Sequence, residues 1–347
     1  MQVNIELDQS VDRSYKVLID ELVGLEFDTK VVIVTNPTVA KFHLDEVKSL
    51  VKATKLDVIT IPDGEKYKNL ETIEFILGEC FKLRLDRKSL LIALGGGVIG
   101  DMTGFVASVF QRGIKFIQIP TTLLAQVDAS VGGKTGVNSK YGKNLIGSFW
   151  QPNGVYCETK FLKTLPSREF SAGVAEIVKM AVTFDRDFFE WLENHDIRDE
   201  ENLKIAIAKS IKTKARVVSL DEREAGVRAV LNYGHTFAHV VENETEYKKY
   251  LHGEAVSIGI VMANELALRL GLLSKEEEIR VKYLLQKYDL PIDYEVNSAE
   301  DFYEHFFLDK KSHNDMIKFI LPDSIGGYKM IDNIDRSLVL EVLKDFE

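Results

Sequence analysis

The sequence predicts an α/β protein, with an N-terminal domain built on a parallel β-sheet and a mainly α-helical C-terminal domain. Two observations carry this prediction. In the first half, short runs of β-branched and other apolar residues alternate with stretches whose apolar residues recur at helical spacing. After about Leu165 the strand-like runs stop and the helical periodicity continues. Apolar strands that alternate with helices are typical of a parallel sheet covered on both faces.

The N-terminal half contains four predicted central strands, at 31–35, 57–61, 89–97 and 115–120. The pattern predicts helices between them, over about 38–53 and from Asn69 onward. Alternating residues at 3–7 predict one further edge strand. These elements make up a first domain over 1–165.

The C-terminal half has four segments of helical period, at 167–183, 202–218, 254–271 and 275–288. Ser167 or Ser171 is expected to cap the first of them, and Ser274 the last. A boundary near Pro166 gives a second domain over 166–347. Ligands in such an arrangement bind at the carboxyl ends of the strands, so we expect the active site in the interdomain cleft.

The composition argues against several classes of function. The chain has 347 residues and a net charge of −10, whereas binding to nucleic acid or to an anionic membrane needs a basic face. No apolar run reaches the roughly 18 residues of a membrane span, and the first ten residues lack the basic and apolar regions of a signal peptide. Cys80 and Cys157 have no metal or redox spacing. We therefore expect a cytoplasmic protein with two buried thiols.

A glycine-rich turn follows the third predicted strand. Gly95, Gly97 and Gly100 form Gly-x-Gly-x-x-Gly between a strand and a helix, where backbone amides and the helix N-terminus can hold a diphosphate. The dinucleotide fingerprint also includes an acid at the end of the next strand, but here that strand ends in Pro120 and Thr121. The motif therefore predicts a Rossmann-like nucleotide site that lacks the usual acid, with a tight structural turn as the alternative.

Two neighbouring segments agree with a nucleotide site. Residues 62–69 form a charged, turn-forming loop after the second strand, although a solvated turn is an equal alternative. Thr121 and Thr122 lie at the end of a strand, where their hydroxyls could contact ribose or phosphate or could cap a helix.

A basic, glycine-rich segment over 132–144 points to a small anion. It carries Lys134, Lys140, Lys143 and Asn144 in an otherwise acidic chain, which suggests capture of a phosphate. A flexible surface loop is the alternative. Asp128, in an apolar stretch just before it, needs a cationic partner if it is buried, and Lys134 is near in sequence.

Acidic and imidazole side chains in the helical half suggest a metal site. Glu176 and Lys179 lie on one apolar helix face, so the acid is expected to point inward and to need a lysine or a metal as its partner. His235 and His239 are four residues apart, and His252 begins the next helix. Two or three histidines with one carboxylate suit Zn²⁺ with an open coordination position. Ordinary core or surface histidines are the alternative.

These motifs together resemble the 3-dehydroquinate synthase family, which acts in the shikimate pathway to chorismate and the aromatic amino acids. The resemblance runs in order along almost the whole chain. It rests on DGEKYKN, GGGVIGDMTGFVA, QRGI, IPTTLLAQVDASVGGKTGVN, GKNLIGSFWQP, FLKTLPSRE, GVAEIVKMA, LNYGHTFAH, HGEAV and DKK.

The resemblance implies bound NAD and a divalent metal, usually zinc, with cobalt as another option. Metal ligands are implied at Glu176, His235 and His252, which leaves His239 facing the substrate. Residues implied for the cofactor are Asp63, Gly64, Glu65, Lys66, Tyr67, Lys68, Gly97, Val98, Ile99, Gly100, Asp101, Thr121, Thr122, Lys134, Lys143, Phe161, Leu162, Lys163 and Thr164.

The resemblance also implies a catalytic set and a substrate-binding set. The catalytic residues are Asp128, Lys134, Lys179, Lys214, Arg228, Asn232 and His239. The substrate-binding residues are Arg112, Lys134, Lys143, Asn144, Lys214, Arg228, Asn232, and Lys310 or Lys311. Arg112 resembles the family arginine that reaches the phosphate site of the neighbouring subunit, which implies a homodimer.

The implied reaction converts 3-deoxy-D-arabino-heptulosonate 7-phosphate to 3-dehydroquinate and phosphate. It proceeds by NAD-dependent oxidation, phosphate elimination, reduction, ring opening and intramolecular aldol closure, which makes the enzyme a carbon–oxygen lyase. Three alternatives remain at this stage. They are a metal- and NAD-dependent polyol dehydrogenase, a related cyclase with another sugar phosphate, and a binding module without catalytic activity.

Overall fold

The computed structural model describes residues 12–307, 317–332 and 334–347. The strands in these ranges are β1 (Val17–Ile19), β2 (Leu25–Thr35), β3 (Val51–Thr60), β4 (Leu90–Gly95), β5 (Lys115–Pro120), β6 (Lys134–Ser139), β7 (Gly142–Phe149), β8 (Val155–Cys157), β9 (Phe319–Pro322) and β10 (Tyr328–Ile331). The α-helices are α1 (Pro37–Val39), α2 (Asp45–Leu50), α3 (Leu70–Lys82), α4 (Gly97–Val109), α5 (Ser167–Phe184), α6 (Arg186–Asn194), α7 (Glu200–Leu220), α8 (His235–Glu244), α9 (His252–Arg269), α10 (Lys275–Lys287), α11 (Ala299–His305) and α12 (Arg336–Lys344). The predicted edge strand at 3–7 and both Lys310 and Lys311 lie outside the described residues.

Six parallel strands form the main sheet, in the order β1-β8-β5-β4-β2-β3. Alternate residues of β2 and β4 enter different cores: Val32 and Leu91 pack on one face of the sheet, and Val31 and Ile92 on the other. Burial on both faces explains why these strands are continuously apolar. The predicted α/β fold, with a parallel sheet before a mainly helical half, is confirmed.

The order of the strands reverses at β2. This strand lies between β3 and β4, so the chain adds its next strand on one side of β2 and the following strand on the other side. A crevice at the carboxyl ends of the strands is expected at such a switch point, and it is the usual ligand site of an open parallel sheet.

The predicted boundary between the first helix and the second strand is wrong by several residues. The helical segment ends at Leu50 and β3 begins at Val51, whereas the prediction continued the helix to about residue 53. The first residues of β3 pair with the extended start of β2, with Val51 opposite Leu25, and Lys52 forms an ion pair with Glu26 at 2.8 Å. These cross-strand contacts outweigh the local helical pattern.

The basic glycine-rich segment folds as an antiparallel hairpin, β6–β7, and not as a flexible loop. The two strands approach so closely at Gly147 that a Cβ there would lie 2.1 Å from the carbonyl oxygen of Thr135. Glycine is therefore required for pairing at this position. The hairpin gives Lys134, Lys143 and Asn144 ordered places.

The helical half also contains the short antiparallel pair β9–β10. Ser274 caps α10 as predicted, in a capping box with Glu277. The cap prediction for α5 is wrong, because Ser167 is the first helical residue and Ser171 is buried further along that helix. Pro166 occupies the cap position, and the helix begins without a side-chain hydrogen bond.

The largest core joins the two halves of the chain. It is formed mainly by the helices from α5 onward, and it also includes Leu123, Val127 and Leu162 from the first 165 residues. The division at 165/166 stays a prediction.

Cys80 and Cys157 are free and buried, as predicted. Among the described residues, no helix is long and apolar enough to span a membrane.

Candidate functional site

Three segments of predicted cofactor residues follow the carboxyl ends of β3, β4 and β5. The loop after β3 is tied to the turn after β2, because the carboxylate of Asp63 accepts hydrogen bonds from Asn36 at 2.9 Å and from Thr38 at 2.7 Å. The end of β5 is tied to the glycine turn by a hydrogen bond from the amide of Thr121 to the carbonyl of Gly95, at 3.0 Å. These loops surround the switch point of the sheet.

The glycine turn leaves the N-terminus of α4 accessible to an anion. The helix begins at Gly97, and no side-chain hydrogen bond caps it. A Cβ on Gly96 would lie 3.0 Å from Cγ2 of Thr122, so a larger residue would crowd the loop that follows β5. Uncapped amides with a bare backbone fit a diphosphate group. The hydroxyl of Thr122 accepts a hydrogen bond from the amide of Ala125 at 3.2 Å, so Thr122 acts as a helix cap.

Lys68 joins three of the segments around this turn. Its buried ammonium group donates to Oδ2 of Asp101 at 2.5 Å and to Oδ1 of Asn144 at 2.6 Å. The loop after β3, helix α4 and strand β7 are thereby held together. Lys68 and Asp101, which the family resemblance implies for the cofactor, are paired with each other.

The predicted cofactor segment at 161–164 lies in a single 3₁₀ turn, Thr159–Thr164. The ring of Phe161 is buried against the ring of His43, with 4.5 Å between the centroids. Nε2 of His43 lies 2.9 Å from the hydroxyl of Thr164. Leu162 packs into the large core, and Lys163 forms an ion pair with Glu200 at 2.9 Å.

Glu176, His235 and His252 come together from α5, α8 and α9. One ligand atom from each lies within 4.8 Å of the other two. Oε1 of Glu176 is 4.0 Å from Nε2 of His235 and 3.8 Å from Nε2 of His252. Gly253 permits this approach, because a Cβ there would lie 1.9 Å from the carbonyl oxygen of Ala172 on α5.

The surroundings of this cluster, hereafter the metal triad, fit a divalent metal. Oε1 of Glu176 is buried without a hydrogen-bond donor among the residues that the structure describes. The outer nitrogens of both histidines have partners: Nδ1 of His235 lies 3.2 Å from the carbonyl of Tyr233, and Nδ1 of His252 lies 3.2 Å from Glu242. Such partners leave each Nε2 available for a metal. One carboxylate and two imidazoles suit Zn²⁺ or a similar ion, with further coordination positions open.

Two buried lysines pair with acids of the site, one of which belongs to the triad. Lys179 contacts Oε2 of Glu176 one helical turn away. Lys214 lies 2.8 Å from Oδ1 of Asp128, so the sequence-based suggestion of Lys134 as the partner of Asp128 is wrong. Burial alone would raise the pKa of the Asp128 carboxyl, but the charges of Lys214 and Lys179 hold that pKa well below its usual value. Asp128 is therefore an anion between two cations.

Glu224 is a site residue that sequence analysis missed. Its carboxylate contacts Lys134, and it accepts a hydrogen bond from Nδ2 of Asn232 at 2.9 Å. Arg228 is buried beside it and donates to the carbonyl of Gly132 at 3.0 Å. An acid in a charged turn gives no periodic signal, so only the resemblance of its neighbours could have pointed to Glu224.

The remaining predicted residues differ in their surroundings. His239 is exposed, and its ring centroid lies 5.6 Å from that of His235. Lys143 reaches Glu242 at 3.2 Å, a second acid that sequence analysis did not assign. Arg112 is exposed and forms no hydrogen bond or ion pair with the described part of the chain.

Comparison with known proteins shows similarity over the whole chain. Residues 58–172 match the family model described as 3-dehydroquinate synthase N-terminal, and residues 173–312 match the one described as 3-dehydroquinate synthase C-terminal. Proteins named 3-dehydroquinate synthase from a Nitratiruptor species and a Sulfurovum species are 62% and 65% identical to it, each over 100% of this chain and 99% of the relative.

A solved structure shares the fold closely. It is 2-epi-5-epi-valiolone synthase from Streptomyces hygroscopicus subsp. jinggangensis 5008, solved with NAD⁺ and Zn²⁺ bound. The match has a TM-score of 0.89 at 25% identity and covers 99% of both chains. A 2-deoxy-scyllo-inosose synthase structure matches with a TM-score of 0.85 at 24% identity, over 96% of this chain and 97% of the other, which shows the shared fold.

Proposed function

Because the chain belongs to the 3-dehydroquinate synthase family, we propose that it converts 3-deoxy-D-arabino-heptulosonate 7-phosphate to 3-dehydroquinate and phosphate. One observation carries the proposal beyond family membership. A triad suited to a metal is linked through Glu242 to the cationic side chain of Lys143 on β7. The next residue of that strand, Asn144, is linked through Lys68 to Asp101 at the start of α4, beside the uncapped glycine turn suited to a diphosphate. A carbon–oxygen lyase that oxidises and later reduces its own substrate needs all three parts of this network.

We assign the two cofactors to two regions of this network. NAD would be held at the carboxyl edge of the sheet, by the loop after β3, the start of α4 and the turn at 161–164. A divalent metal would be held by Glu176, His235 and His252. When bound, NAD accepts and returns a hydride, and the metal lowers the pKa of substrate hydroxyls.

The side chains of the network bind the substrate and move its protons. Lys134, Lys143, Asn144 and Arg228 would hold carboxylate and phosphate oxygens, with charge-assisted hydrogen bonds that contribute roughly 1.5–3 kcal/mol each. Asp128, kept anionic by Lys214 and Lys179, would accept a proton from a ring hydroxyl. The exposed His239 is the second candidate for proton transfer. Asn232 and Lys134 are oriented for their roles by Glu224.

We further propose a cytoplasmic homodimer in which Arg112 serves the phosphate site of the neighbouring subunit. Arg112 follows the end of α4, where Val109 is 45% exposed, and the 60% exposed Phe81 packs on Phe110 at 5.0 Å between ring centroids. An exposed apolar surface beside an arginine that lacks an acidic partner in the described residues is suited to a subunit interface.

A single assay separates this function from its alternatives. Purified protein is mixed with NAD, Zn²⁺ and the heptulosonate phosphate, and phosphate release is followed together with absorbance in the NADH band. The expected result is phosphate and 3-dehydroquinate in equal amounts without net NADH. Net NADH without phosphate would identify a dehydrogenase, and turnover only with another sugar phosphate would identify a different cyclase.

A further inference from the structure

The carboxylate of Glu242 contacts a proposed metal ligand and a proposed substrate lysine at the same time. Its Oε1 lies 3.2 Å from Nδ1 of His252 and 3.2 Å from Nζ of Lys143. Only 3% of the Glu242 side chain is exposed. Glu242 is not among the residues assigned above to the metal, the cofactor or the substrate.

The contact with His252 determines which nitrogen of the ring can bind a metal. A carboxylate can only accept hydrogen bonds, so it selects the form of the imidazole that carries its proton on Nδ1. The lone pair is then on Nε2, which faces Glu176 at 3.8 Å. The other histidine of the triad has a neutral backbone carbonyl at the equivalent nitrogen. Among the described residues, His252 is therefore the one triad histidine whose Nδ1 contacts an anion. An anionic partner at Nδ1 makes the imidazole a stronger metal ligand.

The contact with Lys143 holds the carboxylate in place. Lys143 comes from β7, whereas Glu242 lies on α8, and the ammonium group of Lys143 also lies 4.1 Å from the ring centroid of Tyr247. Donors from two elements therefore converge on one oxygen of Glu242. A charge-assisted contact on each side restricts the rotamer of the buried acid.

We propose that Glu242 is a positioning residue for the metal site: it fixes the orientation and protonation of His252, and Lys143 fixes Glu242. This inference rests on the proposed role of the metal triad. It predicts that loss of the charge at Glu242 weakens metal binding even though the three ligands are unchanged.

The test compares Glu242→Gln with Glu244→Gln. Glu244 lies on the same helix and also accepts two side-chain contacts, from Tyr294 at 2.7 Å and His305 at 3.1 Å, away from the triad. The dissociation constant for Zn²⁺ is measured by competition with a chromophoric chelator, and the visible absorption of the Co²⁺-loaded protein reports the ligand geometry. We expect affinity to fall about 10- to 100-fold for Glu242→Gln, with a changed Co²⁺ spectrum. Glu244→Gln is expected to stay within about twofold of the wild type.

Two outcomes distinguish this inference from the proposed function. If the wild type binds Zn²⁺ and Glu242→Gln binds it equally well with the same Co²⁺ spectrum, Glu242 does not position the site. If Glu176→Gln binds Zn²⁺ as tightly as the wild type, the triad itself is wrongly assigned. Circular dichroism of the metal-free variants shows whether each one is folded before its affinity is interpreted.

Discussion

Asp128 is a partly buried acid whose charge depends on two lysines that lie far from it in the sequence. Lys214 is 86 positions away and also donates to the backbone carbonyl of Asp128. An ionised carboxylate in such a place is stable only while its counterion remains, because the cost of removing it from water is otherwise uncompensated. The pair is therefore a structural requirement of the site as well as a proposed part of its chemistry.

Replacement of Lys214 tests this dependence. In the wild type the lowered pKa of Asp128 adds stability above the unfolded-state pKa of about 3.9, and this contribution is lost only as pH falls through the lower folded-state pKa. In Lys214→Met, burial is expected to raise that pKa above the unfolded-state value. We expect a loss of about 3 kcal/mol in the free energy of unfolding near neutral pH and a smaller loss at about pH 4.5, measured by urea unfolding of the metal-free protein.

Asp128→Asn in the same background provides the control. Because the double variant has no unpaired carboxylate at position 128, it should recover much of the lost free energy of unfolding. The difference in stability from the wild type should then no longer decrease between neutral pH and about pH 4.5. An equal loss for Lys214→Met at both pH values would show that packing, and not the charge of Asp128, is the cause.

At the scale of elements, the metal triad depends on how closely the first turn of α9 approaches α5. Gly253 follows His252 directly and lies against the backbone of Ala172, four residues before Glu176. The absence of a side chain at this one position sets the distance between two of the three proposed ligands. The helix pattern predicts both helices but contains no information about the gap between them.

Gly253→Ala is expected to push α9 away from α5, because the new Cβ would lie 1.9 Å from a carbonyl oxygen. Overpacking of this kind costs about 1–3 kcal/mol. Displacement of His252 should weaken Zn²⁺ binding by about tenfold or more. Thermal unfolding and chelator competition measure the two effects.

Gly78→Ala is the matched control for this substitution. Gly78 lies within α3, and a Cβ there would have no neighbour within 4 Å. This change should stabilise the protein by roughly 0.5–1 kcal/mol without affecting metal affinity. If Gly253→Ala binds Zn²⁺ as well as Gly78→Ala does, the close contact does not control the site.

At the scale of the whole molecule, the proposed dimer predicts that each active site uses residues of both subunits. Arg112→Ala should then be nearly inactive, and so should Asn232→Ala, which removes a residue from the subunit's own site. In an equal mixture of the two variants, half of the dimers are mixed and each mixed dimer has one complete site. Activity is expected to return to about a quarter of the wild-type value.

Subunit exchange must be shown independently for this experiment. Sedimentation velocity should give a dimer for the wild type and for both variants, and differently tagged chains should co-purify after mixing. An active monomer, or exchanged dimers without any recovered activity, would contradict the assignment of Arg112 to the neighbouring site.

Local features of the sequence were sufficient for the class of fold, whereas the assignments of site residues rest on the family resemblance and stay predictions. Continuous apolar strands, helical periods and the Ser274 cap depend on residues close together along the chain, and the structure confirms them. The errors have non-local causes. The start of β3 is decided by its pairing with β2. For the glycine-rich segment, the flexible-loop alternative is excluded by the pairing of β6 with β7, whose backbones approach closely at Gly147.

The sequence by itself therefore determined the class of fold, the family resemblance and the kinds of side chain available for the chemistry. Only the tertiary structure decided which charges meet. It pairs Asp128 with Lys214 and not with the nearby Lys134, and it brings Lys143 to Glu242 across 99 positions. Electrostatic partners are selected by their distance in space and by their burial, and the spacing of residues along a chain encodes neither once the partners belong to different elements.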